Sequence, residues 1–239
     1  LLDFTGVAGA APGSVPHGLM LHADGNLYGV TQAGGASGAG TVFKMTPAGV
    51  LTTLAEFTGN TGARPGREPV GPLVASGNLL YGVTTFGGAS GSGQIFEIST
   101  TGVWRALADF TGTAGLRPGA NPAGGLLLNT DGALYGTTEF GGTNSLGVAF
   151  KITTSLSPAF TVLRHFADAT GGQPAGALVR GSDGLLYGQT ATGGTGGLGT
   201  AFKITTTGTH TVLANFTGEA GAVPGASPRG GFVTGADAQ

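Results

Sequence analysis

Four histidines, a few carboxylates and three loop arginines are the residues of this chain with enough reactivity to act on another molecule. His17, His22, His165 and His210 suggest a metal site, which would need several imidazole or carboxylate donors to converge. They fall at unrelated places, and His17 and His22 stand five apart across a strand. They read as surface or edge residues, and we expect no metal and no cofactor. Asp24, Asp131 and Asp183 each precede a glycine, which raises calcium, but a calcium loop takes oxygens from several alternate positions, as in D-x-D-x-D-G. Each aspartate here stands alone, so turn formation is the expected role. Asp3, Glu56 and Asp109 precede a phenylalanine, at a place that His165 and Asn215 take later in the chain. Two such carboxylates about 5–10 Å apart across one cleft would suit glycoside hydrolysis. Equivalent positions on separate units need not face each other, so a solvated strand edge is expected and no catalytic residue is assigned.

The sequence has no G-x-S-x-G, phosphate-binding loop or dinucleotide fingerprint, the signatures of nucleophilic and nucleotide chemistry. Trp104 is the only tryptophan, which argues against a quinone stacked on an indole. Asn215-Phe216-Thr217 fits a glycosylation sequon but lies inside a repeated strand motif, and we read it as accidental. Arg64, Arg67 and Arg117 stand in loops, where a guanidinium suits an acidic glycan or another carboxylate-bearing partner.

Composition narrows the field further. Glycine takes 50 of 239 positions, against a usual share of about 7%, yet no G-X-Y triplet recurs, which excludes collagen. Charged residues are 9% and the net charge is −2, too little basic character for a nucleic-acid binder. No apolar run reaches the length of a membrane-spanning helix. Cysteine is absent, excluding disulfides, thiolate metal sites and a cysteine nucleophile. Hydrophobic residues at 40% are enough for a core.

What positions these residues is a repeat. Tyr28, Tyr81, Tyr135 and Tyr187, each in Leu-Tyr-Gly, are spaced 53, 54 and 52 apart, and Phe43, Phe96, Phe150 and Phe202 step identically. Pro16, Pro69, Pro122, Pro174 and Pro228 open units, and Phe4, Phe57, Phe110, Phe166 and Phe216 close them. Four full repeats cover 16–68, 69–121, 122–173 and 174–227. Residues 1–15 read as the tail of a preceding unit and 228–239 as the head of a following one, the whole forming one repeat domain. In the third repeat, strands are expected over 125–128, 133–138, Val148–Thr153 and Phe160–Phe166, with Asp131-Gly132 as a tight turn. In the fourth, alternation puts Phe202 and Ile204 on one face, and Val212, Ala214 and Phe216 together on another. No segment keeps a helical period.

Four short strands per unit of this length predict an all-β, β-propeller-type array of four-stranded antiparallel blades. Each blade buries its faces only against the next, with aromatics of strands two and three between blades and small residues in the crowded inner strands. A rolled β-solenoid is the competing architecture, though it usually has shorter rungs and lacks four strands separated by hairpins.

The unit P-x-G-L…D-G-x-L-Y-G-x-T-x-x-G-G…G-x-x-F-K-I-T…T-V-L-x-x-F-T-G resembles the Gloeobacter/Verrucomicrobia tandem repeats of choice-of-anchor proteins, over essentially the whole chain. The instances include Leu27-Tyr28-Gly29-Val30-Thr31 with Gly34-Gly35, Leu186-Tyr187-Gly188-Gln189-Thr190 with Gly193-Gly194, Phe150-Lys151-Ile152-Thr153 and Phe202-Lys203-Ile204-Thr205. It is also distantly similar to propellers whose blades read P-x-G-I…G-N-I-Y-V. The resemblance implies a secreted or surface-exposed bacterial protein and no settled activity. With no leader before Leu1 and no anchor after Gln239, processed or trimmed ends are expected. Glu97, where other repeats carry Lys44, Lys151 and Lys203, weakens any role needing a ring of lysines.

The ends match a fourth strand (Leu1–Phe4) and a first strand (Pro228–Val233). They leave open a five-bladed ring with a deficient blade, a four-bladed ring with spare ends, or a window of a longer array. Unpaired edges also template association. The expected function is a non-enzymatic scaffold or interaction protein outside the cell, whose partner is itself or a surface protein or polysaccharide, without nucleic-acid binding or membrane insertion. A lectin-like polysaccharide binder using Arg64, Arg67 and Arg117 is the alternative, and a glycan-active enzyme a third.

Overall fold

The computed structural model describes residues 3–232. The chain forms two compact units, Leu1–Phe110 and Thr111–Gln239, each with two complete antiparallel sheets. In the first unit, blade 1 is β1 (Ser14–Leu21), β2 (Leu27–Ala33), β3 (Thr41–Met45) and β4 (Leu51–Glu56). Blade 2 is β5 (Arg67–Ser76), β6 (Leu79–Phe86), β7 (Gln94–Ser99) and β8 (Trp104–Asp109). In the second unit, blade 3 is β9 (Ala120–Pro122) with β10 (Leu127–Leu128), then β11 (Leu134–Phe140), β12 (Val148–Ile152) and β13 (Phe160–His165). Blade 4 is β14 (Gly172–Arg180), β15 (Leu186–Thr192), β16 (Thr200–Ile204) and β17 (His210–Asn215). Neighbours in sequence are neighbours in each sheet, except that β9 and β10 both pair with β11 and not with each other. The fold is all-β, of the β-propeller type, as the repeat predicts; among the described residues the one helical turn is a 3-10 turn at Asp168–Thr170.

The Leu-Tyr-Gly signature has a packing reason. Gly29, Gly82, Gly136 and Gly188 pair across the sheet with Phe43, Phe96, Phe150 and Phe202, and each ring tip lies over its glycine. A Cβ on Gly82 would sit 2.5 Å from Phe96 Cζ and 2.8 Å from Leu73 Cδ2, and one on Gly188 would sit 2.6 Å from Phe202 Cζ and 2.8 Å from Leu178 Cδ2. The glycine is the floor of a slot filled by a phenylalanine from strand 3 and a leucine from strand 1. An aromatic covering a strand glycine from the adjacent strand also fixes register.

Blades then lock through a second phenylalanine. Phe57, closing blade 1, meets Phe96 of blade 2 edge-on at 5.2 Å; Phe166, closing blade 3, meets Phe202 of blade 4 at 5.3 Å. Tyr28 joins Leu73, Leu80, Phe96 and Ile98 in one core, and Tyr135 joins Leu178, Leu186, Phe202 and Ile204 in another. The expectation that aromatics fill the space between blades holds within both units.

Backbone-to-backbone packing explains much of the glycine. The connection after each closing phenylalanine, where it has the form F-T-G-x-x-G-x-x-P-G, is pinched shut by a glycine pair: Gly6 with Gly13, Gly59 with Gly66, Gly112 with Gly119, Gly218 with Gly225. The following blade's Gly-Gly corner docks on it, with Gly35 N–H donating to Gly6 O at 3.0 Å and Gly142 N–H to Gly112 O at 3.0 Å.

Three features differ from the sequence expectations. Strand 4 carries a bulge in every blade: Phe202 pairs with Val212 but Ala201 with Ala214, so Val212 and Ala214 lie on opposite faces rather than sharing one. The inserted residue is Leu54, Leu107, Leu163 or Leu213. In blade 3 the first strand is not 125–128 but two pieces, β9 and β10, both paired with β11. Between them, a Cβ on Gly124 would overlap the backbone of Gly176 and Ala177 in blade 4, so the chain there follows its neighbour and not its own sheet. Lastly, Val15, Glu68, Asn121, Gln173 and Ser227 all have φ between 45° and 55°, and each precedes a unit-opening proline. Residues before proline usually prefer extended backbone, and positive φ is strained, most of all for β-branched Val15. The strain is offset where Glu68 N–H donates to Ala39 O and Gln173 N–H to Leu146 O, both 2.9 Å, and Ser227 N–H to Leu198 O at 2.8 Å.

Of the terminal segments, Leu1, Leu2 and residues 233–239 lie outside the described residues, and with them part of both expected terminal strands. Asp3, Phe4 and residues 228–232 belong to no strand. Even so, Phe4 meets Phe43 edge-on at 5.2 Å, as Phe57 meets Phe96, and Pro228 packs on Gly199 as Pro69 packs on Gly40.

Gly82→Ala is expected to destabilise the protein by about 1–3 kcal/mol through overpacking, read as a lower urea midpoint. Gly25→Asn, at an open turn position with φ +81°, is expected to change stability by less than about 0.5 kcal/mol. Equal effects at the two sites would contradict the slot.

Candidate functional site

The three turn aspartates share one construction. Asp24 Oδ1 accepts from the Asn26 N–H at 3.0 Å, Asp131 Oδ1 from the Ala133 N–H at 3.2 Å, and Asp183 Oδ1 from the Leu185 N–H at 3.1 Å. The second oxygen of each accepts the tyrosine hydroxyl four residues on: Tyr28 at 2.8 Å, Tyr135 at 2.7 Å and Tyr187 at 2.8 Å. Strand 3 adds a lysine. Lys151 Nζ is 2.7 Å from Asp131 Oδ2, Lys44 Nζ is 4.0 Å from Asp24 Oδ2, and both stand over their tyrosine rings at 5.3 and 5.9 Å. The D-G-x-L-Y…F-K spacing therefore brings an Asp–Tyr–Lys cluster to the hairpin end of the blade.

The electrostatics are those of a structural clamp. The Asn26 N–H, helped by the Tyr28 hydroxyl, holds the Asp24 carboxyl well below the usual carboxylate range. Burial would raise Asp131, but hydrogen bonds from Lys151, Tyr135 and Ala133 outweigh it and leave the carboxyl at about 2. Burial and then the Asp24 carboxylate push the Tyr28 phenol up to about 12. Each group is held in its ordinary charge state at neutral pH, where a general acid or base needs the reverse. Blade 2 lacks the cluster as a unit: Gly77 replaces the aspartate and Glu97 replaces the lysine, and Glu97 instead pairs with Arg105 through two hydrogen bonds, at 3.1 and 2.8 Å.

The acidic position before the closing phenylalanine is an acceptor for the Gly-Gly corner. Glu56 Oε2 accepts from Ala36 N–H at 2.9 Å, His165 Nδ1 from Thr143 N–H at 3.2 Å, and Asn215 Oδ1 from Thr195 N–H at 3.0 Å. In blade 2, Asp109 Oδ1 accepts from Gln94 Nε2 at 2.6 Å. Carboxylate, imidazole and amide interchange because each presents one acceptor to the same amide. Glu56 and Asp109, expected as solvated strand edges, are thus half-buried and hydrogen-bonded, while Asp3 is exposed.

Two histidines also depart from the expected surface role. His22 is buried between blades 1 and 2, its Nε2 donating to Gly77 O at 2.9 Å. His210 lies against Phe166 and Phe202, with ring centroids at 5.7 and 5.1 Å. The Gly77 carbonyl, with Asp24, raises the pKa of His22 against the effect of burial. Burial lowers that of His210 to about 4, with Arg164 adding to it. His17 reaches only Gln32, at 3.1 Å. Among the described residues, no three His, Cys, Asp or Glu side chains cluster to hold a metal. No helix there is long and apolar enough to cross a membrane.

Of the three arginines expected in loops, Arg64 and Arg67 belong to the first unit and Arg117 to the second, and Arg67 instead opens β5, paired with Phe86. Arg64 and Arg117 occupy the same place in their loops, where their carbonyls accept from Thr58 and Thr111 N–H at 2.9 Å. Arg67 is exposed, with its guanidinium 4.7 Å over the Phe86 ring and 3.8 Å from Glu68. A cleft of about 320 Å³ lies elsewhere, lined by Val162, Leu163, Arg164, His165 and Gly208. The sequence reading passed over Arg164. Its signal was a break in the repeat: alanine stands there in the other blades, as Ala55, Ala108 and Ala214.

The profile of the Gloeobacter/Verrucomicrobia repeat matches residues 1–120 and again 66–237. No curated protein matches the chain. Among solved structures, a candidate gluconolactonase is similar at 14% identity and TM-score 0.53, over 82% of this chain and 62% of that one. A Mycobacterium tuberculosis puromycin-hydrolyzing peptidase is similar at 14% identity and TM-score 0.54, over 85% of this chain and 29% of that one. The chain thus spans less than two thirds of either relative, and the likeness is one of fold.

Buried His22 and half-buried His210 predict opposite pH dependences. A raised folded pKa makes protonated His22 stabilising, so the advantage of the native protein over His22→Asn is full below about pH 6.5 and is lost as pH rises through the folded value. A lowered folded pKa makes neutral His210 the folded form, so the advantage over His210→Phe shrinks as pH falls from about 6.5 toward 4. Urea midpoints across pH 4–8 check both; differences flat with pH would contradict these placements. Asn and Phe are the residues of blade 3 at the two positions, Asn129 and Phe160.

Proposed function

We propose that this chain, which belongs to the Gloeobacter/Verrucomicrobia repeat family, is a non-enzymatic scaffold or interaction protein. We place it outside the cell or at the bacterial surface, associating through the inter-blade faces of its terminal blades. The location rests on what the family resemblance implies. The observation that carries the association is the face of blade 4. Leu213 is 49% exposed where Leu54 and Leu163 are half-buried, and Tyr187 and Phe216 are half-buried where Tyr28 and Tyr135 and Phe57 and Phe166 are buried. At Tyr187, Leu213 and Phe216 that face carries the same residues as the surface that blade 1 sets against blade 2 and blade 3 against blade 4, with Gln189 in place of Val30 and Thr137. Along its inner strand, Gln189 Nε2 donates to Gly230 O at 2.7 Å, so the chain beyond the last blade already takes the path of a next first strand. An exposed surface of this kind marks an interaction site, and a blade of the same repeat, supplied by a second copy, is its natural complement.

The engagement of Asp24, Asp131, Asp183, Glu56 and Asp109 in structural hydrogen bonds supports a role other than catalysis. Lectin-like polysaccharide binding is the second reading, favoured by Arg67 stacked on Phe86 in an exposed position beside the Arg64 loop.

Light scattering over a concentration series is expected to give masses above the 23.2 kDa of one chain, with Leu213→Glu returning the protein toward that value. A native protein that stays at one-chain mass at every concentration would overturn the association.

A further inference from the structure

The segments before β1 and after β17 are built as substitutes for a neighbouring blade. Phe4–Gly13 reads F-T-G-V-A-G-A-A-P-G and Phe216–Gly225 reads F-T-G-E-A-G-A-V-P-G, the same residue at eight of ten positions. Both are pinched alike: Gly6 and Gly13 exchange N–H···O bonds of 2.9 and 2.7 Å, and Gly218 and Gly225 exchange bonds of 3.0 and 2.7 Å. On blade 1, Phe4 sets its ring edge-on to Phe43 at 5.2 Å, as Phe57 does to Phe96. Gly6 O also accepts the Gly35 N–H of the blade-1 corner, as Gly112 O accepts that of Gly142 in blade 3. Phe4–Gly13 thus fills the socket made for the closing segment of a preceding blade. Phe216–Gly225 is a closing segment with no corner docked on it: among the described residues, the only backbone N–H that Gly218 O accepts is that of Gly225.

The reverse substitution is made on blade 4. Ser227 N–H donates to Leu198 O at 2.8 Å, as Gln173 N–H donates to Leu146 O at 2.9 Å between blades 4 and 3. Pro228 packs on Gly199 as Pro174 packs on Gly147. Gly230 O accepts from Gln189 Nε2 at 2.7 Å, where Gly176 O accepts from Thr137 Oγ1 at 3.4 Å. The matching residues of blade 1 are Val15, Pro16 and Gly18. Pro16 is exposed where Pro69, Pro122 and Pro174 are buried. Val15 is 54% exposed and holds a φ of 55°, yet among the described residues no corner carbonyl takes its N–H, as one takes those of Glu68, Gln173 and Ser227. A β-branched residue held at positive φ stores strain, and here the bond that offsets it elsewhere is missing. Beside Val15, Leu19 is 56% exposed and Leu27 and Met45 are half-buried, where Leu178, Leu186 and Ile204 of blade 4 are buried.

We propose that this face of blade 1 is the docking site for blade 4 of a second copy, reached by exchange of like segments. Phe216–Gly225 of the second copy replaces Phe4–Gly13 in the socket, and Val15–Gly18 replaces the second copy's Ser227–Gly230 on its blade 4. The inference rests on the self-association proposed above and gives it a direction: blade 4 of one copy meets blade 1 of the next, a heterologous contact. The exchanged contacts are like for like and nearly cancel. What is gained is the burial of Leu19 and Leu27 against Tyr187 and Leu213 of the second copy, in the way that Tyr135 packs with Leu178 and Leu186, and the Leu198 carbonyl for the Val15 N–H. Phe4–Gly13 is therefore a competitor carried by the chain itself, and it weakens the contact it imitates. A partner of unrelated sequence could cover Leu19, but it would bring neither a pinched loop for Gly34-Gly35 nor a corner carbonyl for Val15.

The test is light scattering over a concentration series on the full native chain, Phe4→Ala, Phe216→Ala and Phe4→Ala/Leu213→Glu, with hydrogen exchange of the native chain read by mass spectrometry. Phe4→Ala is expected to associate about two- to tenfold more tightly than the native chain and Phe216→Ala more weakly by a similar factor, the worth of one edge-to-face ring contact. Adding Leu213→Glu should abolish the association of Phe4→Ala. In the assembled native protein, residues 5–13 should exchange faster than in the single chain, because a pinched loop off its socket is marginal in water, while residues 210–216 should exchange more slowly. Docking without exchange would speed no segment. Native masses above one chain, with Phe4→Ala no tighter or residues 5–13 no faster, would overturn the exchange and leave self-association standing, as would association of Phe4→Ala that survives Leu213→Glu. One-chain masses for both the native and Phe4→Ala proteins would overturn both. A native chain that stays single beside an associating Phe4→Ala would support the exchange, with Phe4–Gly13 holding the face shut.

Discussion

A phenylalanine ring lying over a glycine is the contact on which each blade depends. The glycine of Leu-Tyr-Gly has no side chain to cover its own part of the strand, and the strand-3 phenylalanine covers it from across the ladder, with a strand-1 leucine on the other side. Those two side chains fix the register of three strands at once. The outward edge of the ring is then available, and the closing phenylalanine of the preceding blade takes it within each unit, as at Phe57–Phe96 and Phe166–Phe202. A blade alone would leave that edge, its tyrosine and its bulge leucine exposed. The hydrophobic effect therefore acts mainly between blades, which is why 40% hydrophobic residues coexist with so much glycine.

The polar residues serve the same end. Asp, Tyr and Lys tie the first hairpin to strand 3. Glu, His or Asn before the closing phenylalanine holds the Gly-Gly corner, and that corner docks on the pinched loop of the previous blade. Backbones approach closely at these joints, and the positive φ of Glu68, Gln173 and Ser227 is tolerated because each donates a backbone hydrogen bond to a preceding corner. Most of the chain's reactive groups are thus engaged in architecture.

The repeat period, the four strands and the turn role of the aspartates were legible in the sequence, since alternation, Asp-Gly dipeptides and recurring aromatics report local geometry. The strand-4 bulge was not. An extra leucine in T-V-L-x-x-F fits an unbroken alternation equally well, and only pairing shows that Val212 and Ala214 face opposite ways. The shared task of Glu56, His165 and Asn215 was hidden because three residue types of different charge supply one acceptor. His210 looked like a surface residue because threonines flank it, whereas it is half-buried against Phe166 of another blade. Pre-proline residues suggest extended backbone, whereas Glu68 and Gln173 are left-handed and hydrogen-bonded to the preceding blade. What the sequence withheld is in each case a property of the joint between repeats, which no single repeat contains.

The account stands on coupling across that joint, and a double-mutant cycle between Phe57 and Phe96 measures it directly. Phe57→Leu, Phe96→Leu and the double variant, compared by urea unfolding, should show a coupling of about 0.5–1.5 kcal/mol, the range for an edge-to-face pair beyond its buried area. Single-variant losses that add to within about 0.3 kcal/mol would mean the rings act independently, and the blades would then be held together by something other than the aromatic ladder.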